Sequence, residues 1–251
     1  MKKLILTAAF AALTAGGALA QDVVRLGTEG AYPPYNFIND AGEVDGFERA
    51  LGDELCKRAE LTCEWVTNDW DSIIPNLVSG NYDLIIAGMS ITDEREEVID
   101  FSQGYLPPTV SAYLAASADA DIKGGVVAAQ TSTIQAGYIA ESGATLVEYA
   151  TPEETVAAVK NGEAVAVFAD KDYLAPIAAE SGGALVLLDA DVALGGGVGL
   201  GFRDSDDDLR GKFDAAIKSM KCDGTLDAMI VKPEYFGPTA VVWGDAGKEG
   251  C

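Results

Sequence analysis

Residues 82–101, YDLIIAGMSITDEREEVIDF, decide the fold. The run 84–87, Leu-Ile-Ile-Ala, has the length and branching of a strand buried on both faces, as in a sheet covered by helices on either side. It breaks at Gly88 into a small polar loop, where backbone amides, the Ser90 hydroxyl and one arginine, Arg95, gather among carboxylates. In an open α/β sheet ligands bind beyond the carboxyl ends of the strands, so this loop reads as a receptor for a small carboxylate.

Strands and helices alternate outward from that stretch. Residues 23–28 read as a strand, Phe47, Ala50, Leu51 and Leu55 as the apolar stripe of a helix, and 63–66 as a second strand. Ile73, Ile74, Leu77 and Val78 form another stripe. The rhythm restarts with strand 126–129, helix 134–140, strand 146–149, a further helix and strand 164–169. Thr151 and Glu154 have capping-box spacing at the start of that further helix, and Pro152 takes its first position.

Between the two units stands Tyr105-Leu106-Pro107-Pro108-Thr109; a proline pair neither continues a helix nor sits in a central strand, which places a crossover there. A second crossover is placed in residues 195–201, GGGVGLG, where glycines let the backbone bend. Ser205 then reads as the cap of a helix bearing Leu209, Phe213, Ala216, Ile217 and Met220, stopped by Gly224. The expectation is an α/β fold of two lobes, with two mostly parallel sheets flanked by helices and joined by a two-strand hinge. Residues 21–106 and 202–251 would form a discontinuous first lobe, and 107–201 the second, a connectivity suited to closure over a cleft.

The start of the chain has the layout of a secretory signal: Met1-Lys2-Lys3, an apolar run over 4–13 interrupted by Thr7, then Ala18-Leu19-Ala20. Cleavage near Ala20 and a soluble periplasmic protein are expected, with no direct membrane insertion, because the apolar run is too short to span a bilayer. Lys and Arg number 17 against 40 Asp and Glu, a net charge of −23 that repels nucleic acid and anionic membranes and favours cations. Four cysteines in an exported chain invite pairing. Cys56 and Cys63 suit a local staple, and Cys222 with Cys251 would tie residues 233–251 to the last long helix. With no His and no cluster of metal-ligand spacing, neither a metal site nor a cofactor is expected.

Residues 28–37 (TEGAYPPYNF), Gly46-Phe47-Glu48, 69–77 (DWDSIIPNL) and 87–95 (AGMSITDER), in that order and spacing, resemble the periplasmic polar amino-acid-binding proteins of ABC importers. These are bacterial extracellular solute-binding proteins of family 3, here of the lysine/arginine/ornithine type. The resemblance spans essentially the whole mature chain and includes Cys56 and Cys63, which match a disulfide of such members. It implies the type II periplasmic binding protein fold and a monomer, not an enzyme, that closes around an amino acid and presents it to a membrane permease.

The resemblance also assigns roles. Arg95 would clamp the ligand carboxylate through two parallel charge-assisted hydrogen bonds, the alternative being a surface arginine paired with Glu94 or Glu96. The Ser90 region would help, with the loop Gln130-Thr131-Ser132-Thr133 of the second lobe, whose Ser132 and Thr133 precede a helix N-terminus that favours an anion. Ser132 reads alternatively as a simple N-cap. Asp170 matches the partner of the ligand ammonium, the alternative being a turn or cap aspartate, and the Gly88 carbonyl would take another ammonium proton. Tyr32 and Trp70 match the aromatics that flank the ligand side chain, against a core-packing alternative. Glu29 matches an acid for the far end of a basic ligand, or else lies solvated at the lip.

Arginine, lysine or ornithine is therefore the expected ligand. Ala87 and Gly88 stand where many relatives carry hydroxyls, and Ile134 replaces a polar residue of some basic-ligand members, so an opine or a neutral polar amino acid is the alternative. Two other functions remain on the same scaffold: a cyclohexadienyl-dehydratase-like enzyme with Glu29 or Asp170 as its acid, and an exported ligand sensor.

Overall fold

The computed structural model of the chain describes residues 23–251; the expected signal segment lies outside them. Two sheets form two lobes. The first orders its strands Cys63–Thr67, Val24–Thr28, Leu84–Ile85, Gly201–Phe202 and Asp100–Phe101. The second orders Thr145–Tyr149, Val126–Gln130, Ala166–Asp170, Val110–Ala115 and Val186–Leu187, with Val192–Ala193 also on Val110–Ala115.

The central apolar run behaves as its composition requires. Leu84 and Ile86 join one core with Leu51 and Leu55 of the helix Phe47–Arg58 and with Phe213 and Ile217 of the helix Asp207–Cys222. Ile85 and Ala87 point the other way, into a core with Trp70, Ile73, Leu77 and Tyr82. Alternate side chains of one strand thus enter two separate cores, which is what burial on both faces means. Ladder pairing covers only Leu84–Ile85, although the Ile86 amide still donates to the Gly27 carbonyl at 2.8 Å.

The sheets are mixed rather than mostly parallel. Val24–Thr28 pairs in parallel with both neighbours, as does Val126–Gln130. Gly201–Phe202 and Val110–Ala115 pair antiparallel with theirs. Both follow a crossover from the other lobe instead of a helix on their own sheet, so they enter from the opposite end and run backwards. The crossovers lie side by side: Val198 bridges Leu106 and Ser90, and the Tyr105 amide donates to the Val198 carbonyl at 2.8 Å.

Three boundaries differ from the sequence expectation. The strand expected over 164–169 is Ala166–Asp170, so Asp170 is its last residue and leads directly into the helix Lys171–Glu180. Asp206, not Ser205, occupies the N-cap of Asp207–Cys222; the Ser205 hydroxyl donates to Asp206 Oδ1 at 2.9 Å. Thr133, not Ser132, caps the helix Ile134–Ser142, its hydroxyl accepting from the Ala136 amide at 3.1 Å. The capping box of Thr151 and Glu154 forms as its spacing requires. Both disulfides are present, Cys56–Cys63 and Cys222–Cys251. Among the described residues no helix is long and apolar enough to cross a membrane.

Candidate functional site

The site lies between the lobes, where the carboxyl ends of the central strands face each other. The first lobe brings Glu29, directly after Val24–Thr28, and the 87–95 loop after Leu84–Ile85. The second brings Gln130, the last residue of Val126–Gln130, and Asp170, the last of Ala166–Asp170. A cavity opens there. Glu29, Tyr32, Trp70 and Gly88 line it, with Ser90 and Arg95 from the same lobe. Thr133 and Asp170 line it from the other side, together with Gln130, Ile134 and Gln135.

Gly88 has φ +62°, a left-handed conformation that glycine adopts without strain, and this turn lets the chain leave the sheet toward Ser90. Thr92 caps the short helix Asp93–Glu96, accepting from the Arg95 amide at 3.3 Å, and so sets where the Arg95 side chain departs. Arg95 Nη1 donates to the Ser90 carbonyl at 2.8 Å and Nη2 to the Ser132 carbonyl at 3.4 Å, with the guanidinium 5.4 Å from the Trp70 ring centroid. Its hydrogen bonds go to carbonyls on both lobes rather than to Glu94 or Glu96. Burial lowers its pKa to about 10, which leaves it a cation at neutral pH.

Asp170 stands at the N-cap of Lys171–Glu180 but makes no capping bond, which leaves its carboxylate to the cavity. Tyr32 Oη donates to Oδ2 at 2.9 Å and Gln135 Nε2 to Oδ1 at 3.0 Å. Burial nevertheless raises its pKa to about 6. Glu29 is partly buried, its Oε1 accepting from Gln130 Nε2 at 2.6 Å, and burial raises its pKa to about 7. The wall therefore carries two desolvated carboxylates and one cation. A guest bearing one carboxylate and two cationic groups balances that wall charge for charge, whereas a neutral zwitterion leaves one carboxylate uncompensated.

Ser132 is exposed and outside the cavity lining. Its backbone sits at φ +57°, and its carbonyl receives Trp70 Nε1 at 3.3 Å as well as Arg95. Tyr32 does more than line the wall: it stacks on Tyr173 of the second lobe with centroids 4.3 Å apart. Gln135 escaped the sequence reading. It is buried within the first turn of its helix, where nothing in an apolar-polar pattern separates an amide that orients a carboxylate from one that faces solvent.

A crystal structure of a periplasmic His/Glu/Gln/Arg/opine family-binding protein from Silicibacter pomeroyi, in complex with lysine, is 76% identical with a TM-score of 0.86, covering 88% of this chain and 100% of that one. The L-arginine-binding protein of Pseudomonas aeruginosa is 34% identical over 254 residues, 94% of this chain and 97% of its own. The lysine/arginine/ornithine-binding periplasmic protein of Escherichia coli is 31% identical over 236 residues, 86% and 88%. These relatives are binding proteins. With residues 24–237 matching the family model and the fold shared with the Silicibacter pomeroyi structure, the chain belongs to the bacterial extracellular solute-binding proteins, family 3.

Proposed function

We propose that this protein is the solute-binding component of an ABC amino-acid importer, exported to the periplasm, whose lobes close around a basic amino acid: arginine, lysine or ornithine. The observation that carries the reading is the distribution of charge. Arg95 of the first lobe takes the α-carboxylate, Asp170 of the second takes the α-ammonium, and Glu29, beside Gln130, takes the distal cation. The Gly88 carbonyl adds an ammonium acceptor, Thr133 and Ser90 add polar contacts, and Trp70 and Tyr32 flank the aliphatic stem. Ser132 acts through its carbonyl on Arg95 and Trp70. Because the groups that hold the guest come from both lobes, the guest favours closure, and residues 105–109 and 195–201 bend to allow it. The closed monomer is then the form that a membrane permease reads.

The lysine bound in the Silicibacter pomeroyi relative supports the same ligand class. Native purification followed by mass spectrometry of the released small molecule tests it. A basic amino acid is the expected occupant. A neutral amino acid would overturn the assignment of Glu29, and an opine would overturn the basic amino-acid class.

A further inference from the structure

Among the buried ionisable groups outside the cavity, Glu48 touches the loops of the site, and the binding scheme above leaves it without a task. Glu48, in the first turn of Phe47–Arg58, has no exposed surface. The backbone brings it inward at Gly46, where φ is +109° and an added Cβ would stand 2.7 Å from the Tyr35 carbonyl. Glu48 Oε1 accepts from the Gly88 amide at 2.6 Å and from the Tyr105 hydroxyl. Oε2 accepts from Asn36 Nδ2 at 2.7 Å. Asn36, equally buried, accepts from the Gly30 amide at 2.7 Å through Oδ1, which fixes the orientation of its amide.

Each of these bonds ends on a part of the binding apparatus. Gly88 begins the loop that carries Ser90 and Arg95, Gly30 follows Glu29, and Tyr105 stands where the chain leaves the first sheet for the crossover beside Val198. A free-standing buried carboxylate is expensive, and burial indeed raises the Glu48 pKa. Three converging donors offset that penalty and make the group a rigid node rather than a liability.

We propose that Glu48 is a positioning residue of the ligand site: it holds the Gly88 and Gly30 turns in register with each other and fastens both to the hinge at Tyr105. Substitution therefore weakens binding although Glu48 lies outside the cavity lining. The proposal rests on the reading of the cavity as an amino-acid site only for its affinity readout.

The test is a swap that keeps every bond and moves the charge. Glu48→Gln turns its amide N–H toward either Asn36 Nδ2 or the Gly88 and Tyr105 donors, so at least one donor loses its acceptor. Asn36→Asp alone sets two carboxylates together. In the double variant, Glu48→Gln with Asn36→Asp, the amide N–H at position 48 donates to the carboxylate at position 36, which still accepts from the Gly30 amide. The amide oxygen at position 48 then accepts from Gly88 and Tyr105. Lysine affinity and amide exchange at Gly88 and Gly30 are measured in all four proteins. Each single variant is expected to lose affinity and amide protection by about tenfold or more, and the double variant to return within about threefold of the parent. Single variants that keep parental affinity and exchange would overturn the proposal, as would a folded double variant without recovery. Should Glu48→Gln fail to fold, Tyr105→Phe removes one donor and keeps the ring; faster exchange at Gly88 is expected, and unchanged exchange would count against the node. Exchange is read without ligand, so a parent protein that ignores lysine would defeat the ligand assignment and leave the Glu48 result to be judged by exchange.

Discussion

At the scale of single residues, the proposed recognition rests on three charges and their surroundings. Arg95 faces the cavity as a planar fork, and a lysine there keeps the charge while losing the paired N–H groups. Arg95→Lys is therefore expected to weaken lysine binding by about ten- to a hundredfold, as read by calorimetry, with little change in folding. Glu29→Gln removes the proposed partner of the distal cation; lysine affinity should fall by about tenfold or more while glutamine affinity stays level or rises. The pH response has a definite sign. Glu29 and Asp170 have folded pKa values near 7 and 6, above their ordinary 4.5 and 3.8, so each takes up a proton on folding in that window. The free protein therefore loses stability from these groups as pH rises through that window, while a cationic ligand needs both ionised and binds more weakly as pH falls below about 7. Melting curves from about pH 5 to 8 check both: the lysine-induced rise in Tm should grow with pH, and a rise independent of pH would contradict the assignment. The place of Arg95, Asp170 and Glu29 around one cavity was legible through the family resemblance. Gln130 Nε2 on Glu29 and Gln135 Nε2 on Asp170 were not, because such bonds depend on how two lobes and their loops meet.

At the scale of elements, the tail shows how little local pattern is needed once a covalent tie exists. Residues 233–251 contain no strand and only the short turn of helix Ala246–Lys248, yet the Cys222–Cys251 bond and the Lys221 ammonium 3.7 Å from the Trp243 ring centroid hold them on the last long helix. Trp243 Nε1 also donates to the Tyr105 carbonyl at 3.0 Å. Replacing Cys222 and Cys251 by serine opens a loop of 29 residues and is expected to lower unfolding free energy by about 3 kcal/mol in denaturant titration, with ligand affinity kept within about twofold. An unchanged denaturation midpoint would mean that Trp243 and its contacts hold the tail by themselves. Strands and helices with a clear period were readable: the run 84–87, the stripe of Phe47–Arg58 and the capping box at Thr151 each have a local signature. Val110–Ala115 did not, because it follows a proline pair and its pairing partners lie far along the chain. Its reversed direction, like that of Gly201–Phe202, is set by where the crossovers enter, and no local residue records it.

At the scale of the whole molecule, the lobes meet through Tyr32 on Asp170, Gln130 on Glu29, and Trp70 and Arg95 on the Ser132 carbonyl. These bonds surround the cavity and use the groups assigned to the ligand, so the guest and the closed arrangement share partners. Small-angle scattering should show a smaller radius of gyration with lysine than without it, and an Arg95→Ala protein that does not respond. The central claim is that the cavity between the lobes is built for one carboxylate and two cationic groups. Calorimetric titration of ligand-stripped protein tests it most directly, with lysine, arginine and glutamine as titrants. One saturable site per chain is expected, binding a basic amino acid at least about tenfold more tightly than glutamine, with the charge of Glu29 making the difference. Equal affinity for glutamine, or no heat from any basic amino acid, would contradict it.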